Sequence, residues 1–148
     1  MDEHVTMCSD SRMTDDLRQA FLDRHNMYRS RIAKGQAVNG IGGYAPKAKR
    51  MLKMIYDCDV EANTMGYIEK CVYGHNSYKD RNFWGQSIWA LPSYQYNKTA
   101  AALWAVDSWF AELKAHGVPD NLKFDMTVFD RGIGHWTQLA WQWSYKIG

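Results

Sequence analysis

The stretch GHWTQLAW, Gly134 to Trp141, decides how the rest of this chain is read. It combines a histidine directly after a glycine with a hydroxyl, an amide and two tryptophans. Glycine at 134 lets backbone approach closely, which turns His135 toward a groove rather than toward solvent. Taken alone, the stretch reads as a turn histidine leading into an aromatic core segment. A ligand or acid/base role for His135 is the sharper alternative.

Working outward, 148 residues of which 46% are hydrophobic suffice for one domain with its own core and leave no room for two. The formal charge of +2 comes from both signs interspersed, which excludes a dedicated nucleic-acid binder with its basic stripe. No apolar run approaches the roughly 18 residues of a membrane span. The opening MDEHVTMCSDSR lacks the charged and apolar regions of a signal peptide, so the chain reads as cytosolic or as the mature form of a secreted protein. Residues 1–12 read as a polar arm and 13–148 as the domain.

Three cysteines leave at least one unpaired within the chain. Cys58 and Cys71 fall in a mostly helical segment; along a continuous helix they would stand about 20 Å apart. A disulfide needs Cα atoms within roughly 7 Å, so these two do not pair unless the helix breaks. Cys8 can take only one of them. Three reduced thiols, or a secreted protein with partners elsewhere, both satisfy the count. Asn97-Lys98-Thr99 is an N-glycosylation sequon, with Asn97 as acceptor.

A first helix starts at Thr14, with Asp15 and Asp16 in its first turn and Leu17, Phe21, Tyr28 and Ile32 at helical spacing up to Gly35. The glycine-rich run Ala37 to Pro46 lacks the lysine-hydroxyl pair of a phosphate loop and reads as a connector. Pro46 suits the first position of a second helix with Met51, Leu52 and Ile55 on its apolar face; Val60, Met65 and Ile68 suggest another. QSIWAL, Gln86 to Leu91, reads as a strand ended by Pro92. A long helix follows from Lys98 to His116, lined by Leu103, Val106, Phe110 and Leu113 and stopped by Gly117 and Pro119.

Of five histidines, His4 belongs to the arm, His25 reads as a satisfied core residue, and His116 suits the last turn of its helix. His75 and His135 remain, each after a glycine, too far apart in sequence for a spacing rule to make them a metal pair. Glu112 reads by default as a solvated helix residue.

Several motifs occur in one order: FLDRHNMYR at Phe21 to Arg29, Cys71 shortly before Gly74-His75, WGQSI at Trp84 to Ile88, Trp109 followed by Glu112, and GHWTQLAW. Together they resemble the CAP superfamily of cysteine-rich secretory, antigen 5 and pathogenesis-related 1 proteins. That family usually carries tyrosine at the place of Trp136. GIGGYAPKAK makes the chain most similar to the nematode activation-associated, venom-allergen-like secreted proteins. The resemblance runs from about residue 15 to the end of the chain.

The resemblance implies an α/β fold, an α-β-α sandwich around a small, mainly antiparallel sheet. Relatives continue past Gly148 with a cysteine and more strands, so the carboxyl-terminal strands are expected to be missing here and Cys8, Cys58 and Cys71 to belong to a disulfide framework. It implies a cleft tetrad of His75, Gln86, Glu112 and His135. Gln86 stands where the family has a glutamate, and Asn76 where it commonly has serine. An amide cannot serve as general acid or base, but its carbonyl oxygen can accept from an imidazole N–H and orient the ring. His75 and His135 are the expected ligands of a divalent cation such as zinc, with Glu112 able to join them.

The implied function is a secreted, extracellular, non-enzymatic binding protein. Its expected partners are a host protein or a lipid, with immune modulation as the family's role and a homodimer admitted. The alternative is a metal-dependent hydrolase using His75, His135 and Glu112. Trp89, Tyr94 and Tyr96 lie where some members bind sterols, and their rings suit a flat ligand.

Overall fold

The HNMYR part of the first helix organises much of what surrounds it. In the computed structural model, which describes residues 6–148, α1 spans Asp15–Ala33, and the Thr14 side chain accepts from the Leu17 N–H to cap it. Gly35 follows with φ of +69°, a conformation that favours glycine. On the buried face His25 gives its Nδ1–H to the Phe21 carbonyl 2.9 Å away. Asn26 pairs with both backbone groups of Met54, donating to its carbonyl at 3.0 Å and accepting from its N–H at 2.8 Å. One turn on, Arg29 donates two hydrogen bonds to the Leu52 carbonyl. These side chains treat the 52–54 backbone as a neighbouring strand would. The helix expected from Pro46 is therefore absent, because its backbone groups are spent on α1; the segment runs extended into β1, Ile55–Tyr56.

The connector between Ala37 and Pro46 folds back on itself, with a single antiparallel bridge between Val38 and Tyr44. After β1, α2 covers Cys58–Ile68, capped by the Asp57 carboxylate. The long helix, α3, spans Lys98–His116, with Asn97 at its N-cap and Gly117 (φ +72°) ending it. Two short helices follow, α4 at Met126–Phe129 and α5 at Gly134–Ala140. GHWTQLAW is thus a helix rather than a turn before a core segment, and Gly134 lets the Phe129 ring approach within 3.1 Å of where a Cβ would stand. The last element is β2, Lys146–Ile147.

β1 and β2 pair in parallel, Ile55 with Lys146 and Tyr56 with Ile147. This corrects the expected antiparallel sheet. The chain forms all of α2, α3, α4 and α5 between the two strands, and a parallel pair needs such a long crossover. QSIWAL is not a strand either: residues 86–91 have no ladder among the described residues. A short apolar run does not reveal by itself what kind of burial it serves. α1 packs on β1 and α2 on β2.

The core sits where α1, α3 and α5 meet, around Ile32, Val106, Trp109, Leu113, Ile133 and Leu139. Full burial of one such aliphatic side chain is worth about 1.5–3 kcal/mol. The buried face of α3 is Ala105, Val106, Trp109 and Leu113, while Phe110 stacks on Tyr28 at its margin. Between α1 and α2, Arg18 and Glu61 form a buried ion pair at 2.7 Å, joined by the Tyr56 hydroxyl. That network holds Glu61 below its ordinary pKa and, with burial, pushes Tyr56 up.

The described part of the arm is anchored to this network. Arg18 also donates to the Asp10 carbonyl, and Cys8 is disulfide-bonded to Cys58 with Cα atoms 5.5 Å apart. Cys71 is a free, exposed thiol. His4 lies outside the described residues.

Candidate functional site

α3 and α5 build one half of a cleft. Glu112 projects from α3, and its Oε1 accepts the His135 Nδ1–H at 2.6 Å. Its Oε2 accepts the backbone N–H of Trp136 at 2.9 Å. Both carboxylate oxygens are therefore committed, one to orienting the imidazole and one to the first turn of α5. With Nδ1 donating to Glu112, Nε2 is the nitrogen that carries the lone pair in the neutral ring. Trp109 stacks on the His135 ring, with centroids 6.0 Å apart, and lies tilted against His25 at 6.2 Å. Burial lowers the His25 pKa from 6.5 to about 4, so this ring is neutral at physiological pH. The Trp136 indole Nε1 is buried without a hydrogen-bond partner, the one such side-chain atom among the described residues.

The other half is made of irregular backbone. His75 gives its Nδ1–H to Gln86 Oε1 at 2.7 Å, which presents its Nε2 in the same way. Arg81, 7% exposed, holds this region together. Its guanidinium donates to the carbonyls of Asn76 and Trp84, which flank the histidine and the glutamine in sequence, and lies over the Tyr78 ring at 4.1 Å. Between them Asn82 and Phe83 both take left-handed φ, at 53° and 61°. Such values are uncommon for a bulky residue and need surrounding contacts to hold them.

The halves meet where Gly85 faces the Gln138 amide. A Cβ at position 85 would clash with that amide. Gln86 follows Gly85, and His135 lies one turn before Gln138, so this contact joins the segments that carry the two pairs. Of the tetrad, Gln86 alone lines the adjoining cavity of about 660 Å3, together with Trp109, Gln138, Trp89 and Cys71. The structure thus places all four residues of the expected tetrad as two hydrogen-bonded pairs.

The donor set bears on zinc as follows. Two imidazoles, each fixed through Nδ1 by a side-chain oxygen, have the orientation shell common to metal-binding histidines. No group of three His, Cys, Asp or Glu able to hold a metal occurs among the described residues. The four residues stand as two separate hydrogen-bonded pairs, with Gln86 and Glu112 as the orienting groups of the two rings.

The aromatic loop is spread out. Trp89 is half-buried against the core and meets Trp104 edge-on at 5.3 Å; Tyr96 meets the same ring at 5.9 Å. Tyr94 is 95% exposed and stands apart from that cluster. Asn97 is exposed, and its side-chain oxygen accepts the Ala100 N–H to cap α3. Sequence reasoning missed Trp104 and Arg81. Nothing in the local pattern marks either, although an arginine amid Asn, Ser and Gly residues is a candidate binder of backbone carbonyls.

The family model described as "CAP: Cysteine-rich secretory protein family" matches residues 22–148. The chain is 41% identical over 143 residues to the Ancylostoma secreted protein of Ancylostoma caninum, covering 95% of this chain and 34% of that protein. It is 29% identical to Venom allergen 5 of Vespula pensylvanica over 92% of this chain and 66% of the relative. It therefore spans only about a third of the former's length. Among solved structures, that of NaASP2 with Zn2+ superposes with a TM-score of 0.93 at 42% identity, over 95% of this chain and 74% of that one. BmVAL-1 gives 0.87 at 29% identity, over 95% and 70%.

Proposed function

The chain belongs to the CAP, cysteine-rich secretory protein family, and from that premise we propose that it is a secreted, non-enzymatic binding protein acting on a host molecule or a lipid. The observation that carries this reading is the commitment of both Glu112 oxygens, to His135 and to the Trp136 N–H. Position 86 supplies an amide, which does not titrate in the useful range. The cleft thus has oriented imidazoles but no free carboxylate to act as base. An extracellular setting is supported by the Cys8–Cys58 disulfide, since such bonds persist in oxidising compartments. The names of the Ancylostoma and Vespula relatives, a secreted protein and a venom allergen, point the same way.

His75 and His135 would hold a divalent cation through their Nε2 atoms. NaASP2 was solved with Zn2+, which motivates zinc as the probe. A bound cation supplies Lewis acidity and a fixed positive charge. The protein's own contribution is to hold both rings in one tautomer and to stack Trp109 on one of them. For a flat apolar ligand, Trp89, Tyr96 and Trp104 offer an aromatic surface beside the cleft. Immune modulation at a host boundary is the part of this reading that rests on the family alone and on no single residue.

The test is calorimetric titration of zinc into the protein and its His135→Ala variant, with peptide and ester hydrolysis assayed in parallel. One-to-one binding lost in the variant, without zinc-dependent hydrolysis, is expected. Hydrolysis abolished by His135→Ala would overturn the reading in favour of a metal-dependent hydrolase built on His75, His135 and Glu112.

A further inference from the structure

α3 begins at the chain's sole Asn-X-Ser/Thr sequon, Asn97-Lys98-Thr99. A sequon by itself names an acceptor from composition alone. The geometry here adds to it, because Asn97 is exposed and its two polar atoms have separate duties. Oδ1 accepts the Ala100 N–H at 2.9 Å and so caps the helix. Nδ2, the atom that N-glycosylation modifies, has no hydrogen-bond partner among the described residues. A sugar joined to Nδ2 therefore leaves the cap intact, and modification and fold do not compete for the same atom.

Helical spacing sets what such a sugar would touch. Trp104 lies two turns beyond Asn97 on the same face of α3, about 10 Å along the axis. Between them that face carries only Ala100 and Ala101, whose short side chains leave the way open. Helical side chains lean toward the N-terminus. The Trp104 ring does reach back, since it meets the ring of Tyr96, the residue directly before the acceptor, at 5.9 Å. Tyr96 and Trp104 are each 47% exposed, and Trp89 closes the cluster from the core side at 5.3 Å. The acceptor thus stands at the rim of an uncovered aromatic face. Contiguous apolar surface of this kind calls for a cover, and the C–H face of a sugar ring packs on aromatic rings.

We propose that Asn97 carries an N-linked oligosaccharide whose first sugars lie over the Tyr96–Trp104 face. Transfer forms a bond from Nδ2 to the anomeric carbon of the first sugar and breaks that carbon's bond to the pyrophosphate of a lipid-linked oligosaccharide donor. The pyrophosphate leaves with the electron pair, and Nδ2 gives up one of its two protons. The proposal rests on the extracellular reading, because that donor is met on the secretory route. It makes the aromatic surface beside the cleft conditional: the glycosylated protein covers it and the bare protein presents it.

The test expresses the full chain behind a cleavable secretion leader in a eukaryotic host. Mass is measured before and after peptide N-glycosidase digestion, and side-chain exposure is mapped by hydroxyl-radical oxidation. Digestion turns the acceptor into aspartate, which keeps a capping oxygen, so the two forms differ in the sugar and not in the cap. Loss of mass on digestion is expected for the parent and for Thr99→Ser, and none for Thr99→Ala or for Asn97→Asp. Thermal melts show that each variant folds. Oxidation of Tyr96 and Trp104 should rise several-fold on digestion, while that of Tyr94, which stands apart from the cluster, stays constant. Secreted parent protein with an unmodified Asn97 would overturn the acceptor assignment. A glycan whose removal leaves Tyr96 and Trp104 oxidation unchanged would overturn its place on the aromatic face. Protein from the natural source separates this from the compartment. Glycan-free material inside the cell, beside glycosylated leader-routed protein, would refute the extracellular setting and uphold Asn97 as an acceptor.

Discussion

His135 and His75 each give their Nδ1–H to a side-chain oxygen, 2.6 Å away at Glu112 and 2.7 Å away at Gln86, yet the two pairs stand on different supports. The first joins two helices, packs against Trp109 and places a carboxylate beside the ring. The second rests on a loop with left-handed residues and places a neutral amide there. Each is braced by a buried arginine that binds backbone carbonyls rather than a carboxylate. Arg29 donates to Leu139 and Trp141 at the end of α5, and Arg81 to Asn76 and Trp84 around the other pair. The same ring orientation is thus reached once through the core and once through a local clamp. That difference predicts which half fails first under each kind of perturbation.

The largest effect belongs to the arginines. Arg29, 1% exposed, serves carbonyls of Leu52, Leu139, Trp141 and Gln142, and burial pushes its pKa down to about 10, still charged at neutral pH. Arg29→Met strands several buried acceptors at once and is expected to cost about 3–5 kcal/mol. Arg81→Met strands fewer groups, at the surface, and should cost about 1–2 kcal/mol. Urea unfolding measures both, and hydrogen exchange locates the damage. Global loss of protection is expected for the first, and loss around 75–86 alone for the second. Similar costs with similar exchange patterns would erase the distinction between a core-mounted and a locally clamped pair.

Acid should also divide the halves. His25 packs against Trp109, which also stacks on His135, and burial holds its folded pKa at about 4 against an ordinary 6.5. The unfolded chain therefore takes up this proton first. The stability conferred by neutral His25 is complete above about pH 6.5 and is lost as pH falls toward 4, by roughly 3 kcal/mol over the window. Glu61 and Asp57, whose pKa values are lowered by their partners, lose their contributions at lower pH still. His25→Gln keeps a donor for the Phe21 carbonyl but does not titrate. Its stability between pH 6.5 and 4 should decline less steeply than that of the parent protein. Parallel curves would show that His25 is not what makes the helical half acid-sensitive.

The halves differ again in how far the sequence revealed them. The helical half was legible: α1 begins at a capping threonine and α3 ends at Gly117, because caps and helical periodicity are local signals. Resemblance then picked out His135 and Glu112. The loop half was legible in its residues but not in its form. QSIWAL reads as a strand, yet its course is set by Gly85 against Gln138 and by Arg81 on the Trp84 carbonyl, contacts made outside the segment. The helix expected after Pro46 failed for a related reason. Asn26 and Arg29 take the backbone groups of Met54 and Leu52, and no propensity within 46–55 encodes that capture. The parallel pairing of Ile55 with Lys146 was hidden because it joins residues far apart in the chain.

The smallest effect tests the comparison most directly, since it changes only the chemistry of the orienting oxygen. Gln86→Glu would give His75 a carboxylate like the one at His135, and Glu112→Gln would give His135 an amide like the one at His75. A carboxylate raises the basicity of the imidazole it accepts from, and such outer-shell changes typically alter metal affinity by about 10–100-fold. Zinc affinity measured by calorimetry should therefore rise about tenfold in Gln86→Glu. In Glu112→Gln it should fall by somewhat more than that, because the amide must also replace an acceptor for the Trp136 N–H while its own NH2 group can only donate. If both substitutions left affinity unchanged, ring orientation alone would matter, and amide and carboxylate would be equivalent in this cleft. If only Glu112→Gln mattered, the two halves would be unequal partners, with His135 as the principal ligand and His75 an auxiliary one.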